Sequence, residues 1–551
     1  MLTSHFSDTF ARDHLPPQSA WPDFVFTRPE YQYPQRLNAV QVLLDERIAR
    51  SDGNHIALRN HQAACSYEQL FVRVNQIANV LVHQLGLQPG NRVLLRGANH
   101  PMMAACWLAV VKAGLIAVPT MPLLRAKELI EVINKAKVSA ALCDRALQNE
   151  MQLSQPGCLT LRTTLYFNDF INPKDSGDLV NTGSASDSLE RRLADQSVQF
   201  EAFDTAADDV ALIAFTSGTT GQPKGTMHFH RDLLAMCDAF PRHVLQPTAN
   251  DVFCGTPPLA FTFGLGGMLC FPMSVGAATV LIERLTPAEL LKTVAQHRAT
   301  ILFTAPTFYR QMALQAKEHD LSSLTKCVSA GEALPEATRR LWRDTTGLEI
   351  IDGIGATEMM HIFISSAGSE VRAGAIGKVV PGYEAKIVDE QMRTLAAHTV
   401  GRLAVRGPTG CRYLADERQQ HYVKNGWNLP GDTFLMDDDG YFYYQARSDD
   451  MIISAGYNIA GPEVESALLT HDAVAECAVI GVADDERGQI VKAFVVLKAD
   501  RPASAALGLE LQNHVKAAIA PYKYPRQIEF LSALPRTETG KLQRFRLRTP
   551  G

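Results

Sequence analysis

The chain has 551 residues, 46% hydrophobic and 20% charged, with 53 Lys+Arg against 58 Asp+Glu and a net charge of −5. This composition excludes a mostly disordered chain, a collagen-like repeat and a coiled coil, and its slight acidity leaves no electrostatic footprint for binding nucleic acid. At roughly 100–200 residues per domain, the length calls for about three to five domains or subdomains.

The opening stretch, MLTSHFSDTFARDHLPP, carries charges and prolines and no apolar core of a signal peptide, so a soluble cytoplasmic protein is expected. Tyr67–Leu85 has helical apolar spacing, and Arg92–Leu95 reads as a short strand. Met102–Met121 is strongly apolar, but Lys112 and Gly114 interrupt it and Pro119 closes it. It reads as a buried helix ending near Gly114, followed by the strand LIAVPT, rather than as a membrane span. Residues 168–209 are rich in Ser, Asp and Gly and read as surface, with one short helix at Ser188–Asp195. Ala211–Phe215 reads as a strand, as do Ala278–Ile282 and Thr300–Phe303, with a helix at Ala288–Gln296 between the last two. Strands alternating with helices give an α/β fold of layered subdomains with largely parallel sheets.

The pattern changes near Ser448. A helix (Pro462–Thr470), a strand (Glu476–Val482), a polar loop, a strand (Val491–Leu497) and a helix (Leu509–Ile519) form a compact α+β unit. The tail from Pro521 holds seven Lys/Arg against two Glu, equally suited to contacting phosphates and to forming a solvated face. The expected division is a large domain over 1–446, a junction at 447–449 and a small domain over 450–551. The ten cysteines form no CxxC pair and have no histidine at zinc-ligand spacing, so they read as buried thiols in a reducing compartment.

Chemistry concentrates in a few strings. Thr216–Gly225 reads TSGTTGQPKG, directly after a strand. Its glycines (Gly218, Gly221, Gly225) let backbone N–H groups approach an anion, while Thr216, Ser217, Thr219, Thr220 and Lys224 can add donors. The common P-loop requires Ser or Thr after its lysine, whereas Gly225 follows Lys224. GIGATE (Gly353–Glu358) ends in a carboxylate suited to Mg²⁺. PGDTF (Pro430–Phe434) places a carboxylate that can accept two hydroxyl hydrogen bonds. RSDDMIISAGYNIAGPE (Arg447–Glu463) spans the junction, and PRTETGKLQR (Pro535–Arg544) lies in the basic tail. Taken singly, each string also has a plain reading: a surface turn, a solvated glutamate, a linker or a solvated lysine.

Taken together and in order, the strings resemble the signatures of the adenylate-forming superfamily of acyl-CoA synthetases, luciferases and peptide-synthetase adenylation domains. The likeness spans nearly the whole chain. It implies that Thr216, Ser217, Gly218, Thr219, Thr220, Gly221 and Lys224 hold ATP phosphates and that Thr357 and Glu358 meet phosphate and Mg²⁺. It further implies a nucleotide pocket with Gly331, Glu332 and Asp352, ribose binding by Asp432 and a nucleotide contact from Arg447. Asp449 becomes the hinge of a mobile C-terminal domain, and Gly456 lies where the pantetheine of coenzyme A approaches. Lys541 becomes the catalytic lysine that holds a carboxylate against the α-phosphorus. Lys492, the competing lysine, lies in an expected strand and is set aside.

The acid is read from two further strings. PLAFTFGLGGML (Pro258–Leu269) matches the motif whose aromatic, here Phe261, lines the acyl pocket and changes position between half-reactions; Thr262 and Phe263 follow it. DGIGATEMMHIF resembles the benzoate-CoA ligase subgroup, including Ile354 where most members carry an aromatic. The resemblance places Gly331, Gly353, Ile354, Gly355 and His361 around the acid, with the two strand glycines leaving room for a flat ring. The opening ARDHLPPQSAWPDFVF and YPQRLN look more like 2-aminobenzoate (anthranilate)-CoA ligases, and Thr262 would accept a hydrogen bond from the ortho amine. The expected enzyme is thus an aryl-CoA ligase using ATP, Mg²⁺ and coenzyme A. Benzoate-CoA ligase and a stand-alone enzyme loading a carrier protein are the alternatives. The partners expected are a small aromatic acid, no nucleic acid and no membrane, with a homodimer left open.

Overall fold

The computed structural model describes residues 2–50, 52–168, 187–217, 223–283, 285–447, 450–454, 457–484, 487–499, 501–536 and 542–548. The first sheet runs in spatial order Thr163–Phe167, Val138–Asp144, Arg92–Arg96, Ile116–Thr120, Val210–Ser217, Pro223–Phe229. Its pairings are parallel except the last, an antiparallel hairpin with Thr216 opposite Lys224. The helices over it form for local reasons. Tyr67–Asn79 begins in a capping box, where Ser66 Oγ accepts from the Gln69 amide and Gln69 Oε1 from the Ser66 amide. Pro101–Lys112 is buried along its whole length and is followed by Gly114 at φ +69°, where a Cβ would lie 2.6 Å from the Phe203 ring. Lys112, the interruption in the apolar run, is fully buried and donates to Asp45 (2.8 Å) and Asn75 (2.7 Å).

The second sheet has nine strands, with Lys326–Ala330 and Ile350–Gly355 near one end. Ile350–Gly355 turns back antiparallel onto Ile362–Ser365, and that turn carries the GIGATE string. A third, antiparallel sheet includes Gly401–Arg406, Asp432–Met436 and Phe442–Arg447. Inside the large domain lies a fully buried ion pair of Arg412 and Asp232; the guanidinium also sits 3.8 Å from the Phe229 ring centroid.

The smaller C-terminal domain packs helices Gly461–Leu468 and Ala505–Ala518 against a fourth sheet. Here the structure corrects the expected elements. Val474–Asp484 and Gly488–Leu497 form one long antiparallel ladder, so most of the expected polar loop is strand, with Ala483 paired to Gln489. Gln527–Phe530 adds a parallel strand inside the basic tail. The first helix stops at Leu468, short of the expected Thr470, whose hydroxyl donates to the Ala467 carbonyl at 2.7 Å. All ten cysteines are free thiols. Among the described residues, no helix is long and apolar enough to cross a membrane.

Candidate active site

The string expected to bind phosphates connects the two strands of the edge hairpin. Residues 218–222, which include Gly218, Thr219, Thr220 and Gly221, lie outside the described residues, as does the side chain of Ser217. Thr216 Oγ1 is buried and has no hydrogen-bond partner among the described residues. Lys224 Nζ donates to the Tyr413 hydroxyl at 3.0 Å and lies 3.6 Å from Glu358 Oε1. Tyr413 in turn donates to the same oxygen at 2.5 Å. Burial and the Glu358 charge push the Tyr413 phenol far up, so it stays protonated and keeps donating. Glu358 Oε2 has no hydrogen-bond partner among the described residues. A single carboxylate oxygen beside the hairpin expected to bind phosphates fits Mg²⁺, which is typically held by one or two carboxylates plus phosphate oxygens.

Local folding aims these groups. Glu358 lies in the 3-10 turn Thr357–Met359, with Thr357 half-buried beside it. Met360 closes that turn at φ +68°, a conformation costly for a non-glycine residue, and its side chain is buried. Thr409 Oγ1 pins the turn by donating to the Met359 carbonyl at 2.7 Å. Tyr413 is held against the hairpin by backbone bonds on either side, Met227 N to Arg412 O (2.7 Å) and Leu414 N to Gly225 O (2.8 Å).

Apart from Asp352, which lies inside the strand Ile350–Gly355, the expected nucleotide residues lie at strand ends. Gly331, at φ +89°, and Glu332 follow Lys326–Ala330. Glu332 accepts from Thr307 at 3.0 Å. Asp352 sits one strand over, opposite Ser329, and burial pushes its carboxyl up to about 7. Asp432 is buried at the start of its strand, with Arg447 as its ladder partner. Arg447's side chain, and Asp449, Gly456 and Lys541 entirely, lie outside the described residues.

Two of the residues expected around the acid, His361 and Phe263, lie in an aromatic box. His361 is 3% exposed, and the rings of Phe240, Phe263, Phe271 and Phe303 surround it at centroid distances of 5.8, 5.4, 4.5 and 6.5 Å. Gly266 and Gly267 make the box possible: a Cβ on Gly266 would meet His361 Cδ2 at 2.5 Å, and one on Gly267 would meet the Phe303 ring at 2.6 Å. Burial pushes the imidazole down to about 3, so His361 is neutral. Its Nε2 lies 3.3 Å from the Phe263 carbonyl, which can only accept; Nε2 is therefore assigned the hydrogen and Nδ1 the lone pair. Nδ1 is buried and without a partner among the described residues.

Phe261 caps the short helix Thr262–Leu265 and is half-buried, while Thr262 is buried. Asn99 fixes the preceding loop, donating to the Pro257 carbonyl (2.9 Å) and accepting from the Leu259 amide (2.8 Å). Gly353 and Gly355 differ from the expectation of open space for a ring. The chain itself fills the room where a Cβ would be, with Ile362 Cδ1 at 2.7 Å and the His361 carbonyl at 2.6 Å. Ile354 packs toward a separate core cluster that includes Met359 and Phe363. Sequence reasoning missed Tyr413, Asn99 and the rings of Phe240, Phe271 and Phe303. Apolar residues in apolar runs carry no local signal, and Tyr413 follows a string without a motif.

Residues 44–413 match the AMP-binding enzyme family, and residues 463–541 match the AMP-binding enzyme C-terminal domain. The benzoate–CoA ligase of Thauera aromatica is 37% identical, over 96% of this chain and 98% of its own. Among solved structures, the anthranilate CoA ligase AuaEII in complex with anthranoyl-AMP is 34% identical with a TM-score of 0.87, covering 94% of this chain and 98% of its own. A benzoate CoA ligase from Burkholderia xenovorans is 30% identical with a TM-score of 0.82, covering 93% and 100%. The chain therefore belongs to the AMP-binding enzyme family, as an AMP-forming acid–thiol ligase of the aryl-CoA synthetase type.

Proposed function

We propose that this enzyme converts 2-aminobenzoate to its CoA thioester at one site in two steps. In the first, a carboxylate oxygen attacks the α-phosphorus of ATP, the bond to the β-phosphate oxygen breaks, and pyrophosphate leaves. In the second, the thiol sulfur of coenzyme A attacks the acyl carbon and loses its proton as the bond to AMP breaks. Bound at Glu358, Mg²⁺ would neutralise charge on the nucleotide phosphates. Thr216, Ser217, Gly218, Thr219, Thr220, Gly221 and Lys224 bind those phosphates, assisted by Thr357. Gly331, Glu332, Asp352, Asp432 and Arg447 hold the nucleoside, and Lys541 steadies the carboxylate. The small domain, 450–551, turns about 447–449 with Asp449 as hinge, and Gly456 then admits pantetheine. The free, mostly buried thiols suit a reducing cytoplasm.

The observation that carries the choice of acid is the lone pair on His361 Nδ1, buried in an aromatic box without a partner among the described residues. A flat ring suits a place beside the box, with Phe261 and Phe263 on the loop before it, and an ortho amine supplies the missing donor. The buried Thr262 hydroxyl is a second acceptor for that amine. Benzoate is the competing reading, favoured by the four phenylalanines, which offer a ring contact but no polar partner. The test offers 2-aminobenzoate, benzoate and a medium-chain fatty acid in equal amounts with ATP, Mg²⁺ and coenzyme A, and reads the thioesters by mass spectrometry. Mostly 2-aminobenzoyl-CoA is expected. Mostly benzoyl-CoA would overturn the amine argument, and pyrophosphate without any thioester would point to a carrier-loading enzyme.

A further inference from the structure

We infer that Arg536 and Arg310 form a latch that holds the C-terminal domain in place for the first half-reaction and opens for the second. The inference rests on the two-step reading above. Arg536 immediately precedes residues 537–541, and Leu542 immediately follows them. The two form a β-bridge, so together they are the base of the segment that contains Lys541. Both grip the large domain at Glu332. The Leu542 amide donates to Glu332 Oε1 at 3.2 Å, and an Arg536 guanidinium nitrogen lies 3.6 Å from the same oxygen. Arg536 also reaches Thr307 Oγ1 at 3.5 Å, and Thr307 donates to the other Glu332 oxygen.

On its own domain, Arg536 pairs with Glu476 at 3.0 Å. That pair aims the guanidinium before docking, so less side-chain freedom is lost when Glu332 completes the contact. One turn along the helix Pro306–Ala313 from Thr307, Arg310 makes a second, separate grip. Its Nε donates to the Ala475 carbonyl at 3.1 Å, and a terminal nitrogen reaches the Val474 carbonyl at 3.4 Å. Helix Pro306–Ala313 thus offers Thr307 and Arg310, three residues apart, to one face of the C-terminal domain. Contacts of this kind cannot survive a rotation about 447–449. Their strength therefore biases the equilibrium between the two domain arrangements. Arg536 acts as a positioning residue for Lys541 through the base of its segment, and Arg310 does so by holding Val474 and Ala475 of the same domain.

The test uses full-length Arg536→Ala, Arg536→Lys and Arg310→Ala. Acid-dependent ATP–pyrophosphate exchange reads the first half-reaction, and thioester formation from presynthesised 2-aminobenzoyl-AMP and coenzyme A reads the second. Each alanine variant is expected to lose about tenfold or more in exchange, with the second half-reaction unchanged or faster and Arg536→Lys intermediate. Equal losses in both halves, or no loss in either, would overturn the latch. A dye pair spanning the two domains gives a readout that needs no turnover. The alanine variants should broaden or lengthen the distance distribution, and an unchanged distribution would overturn the latch. A wild-type enzyme that forms no thioester from any acid would instead count against the two-step reading, and the dye measurement would still decide the latch.

Discussion

The phenol of Tyr413 donates to Glu358 Oε1 at 2.5 Å while accepting from Lys224 at 3.0 Å, so one hydroxyl ties the returning strand of the edge hairpin to the carboxylate proposed for Mg²⁺. Removing it should free Glu358 to rotate without emptying the site. Tyr413→Phe is expected to raise the Mg²⁺ concentration needed for half-maximal rate and to lower acid-dependent pyrophosphate exchange by about 10- to 100-fold, as for a lost hydrogen bond to a charged group. Thioester formation from presynthesised acyl-AMP should change far less. Equal losses in both assays would contradict the role.

His361 is held neutral by burial, with its pKa pushed down to about 3. It therefore does not titrate in the working range, and any pH dependence between about pH 6 and pH 9 must come from other groups. His361→Leu keeps an apolar filler but removes the Nδ1 lone pair. The ratio of kcat/KM for 2-aminobenzoate over benzoate should fall by about tenfold, mostly through 2-aminobenzoate. An unchanged ratio would move the amine contact elsewhere, and Thr262→Ala is the next variant to measure.

Asp352 supplies a stability prediction with a defined sign. Its carboxyl is pushed up to about 7 by burial, above the ordinary 3.8. The folded state therefore binds more protons than the unfolded state between those values, and stability falls as pH rises from about 4 to about 7. Asp352→Asn removes this penalty. The ligand-free variant should lose less Tm than the wild type between about pH 5 and about pH 8, as measured by differential scanning fluorimetry.

Arg412 and Asp232 are both fully buried, and burial lowers the Arg412 pKa to about 10 even beside its partner. Neither charge has water to fall back on, so removing one strands the other. Asp232→Ala should cost about 3–5 kcal/mol of folding free energy, read as a large fall in the denaturation midpoint. Because Arg412 adjoins Tyr413, the folded fraction should also bind Mg²⁺·ATP more weakly.

Part of the candidate site is legible in the sequence: Lys224 falls in a short string of glycines, hydroxyls and a lysine, the pattern phosphate binding needs, and Glu358 ends the string GIGATE. Tyr413 is not. It meets Glu358 only because 412–414 lies along 225–227, a pairing between segments almost two hundred residues apart. The aromatic box draws Phe240, Phe263, Phe271 and Phe303 from separate elements, and only Phe263 and His361 fall in strings that point to the acid. The fold class and alternation are legible from periodicity, as at Tyr67–Asn79 and Pro101–Lys112. The long C-terminal hairpin is not, since its distal pairs, such as Ala483 with Gln489, are held by backbone hydrogen bonds and carry no apolar pattern.

The most direct test of the whole account follows oxygen rather than product. The enzyme is given 2-aminobenzoate carrying heavy oxygen in its carboxyl group, with ATP, Mg²⁺ and coenzyme A, and the products are read by mass spectrometry. Attack of the carboxylate on the α-phosphorus predicts one labelled oxygen in AMP and none in pyrophosphate, with 2-aminobenzoyl-CoA formed in equal amount. Label appearing in inorganic phosphate, or thioester formed with unlabelled AMP, would contradict it.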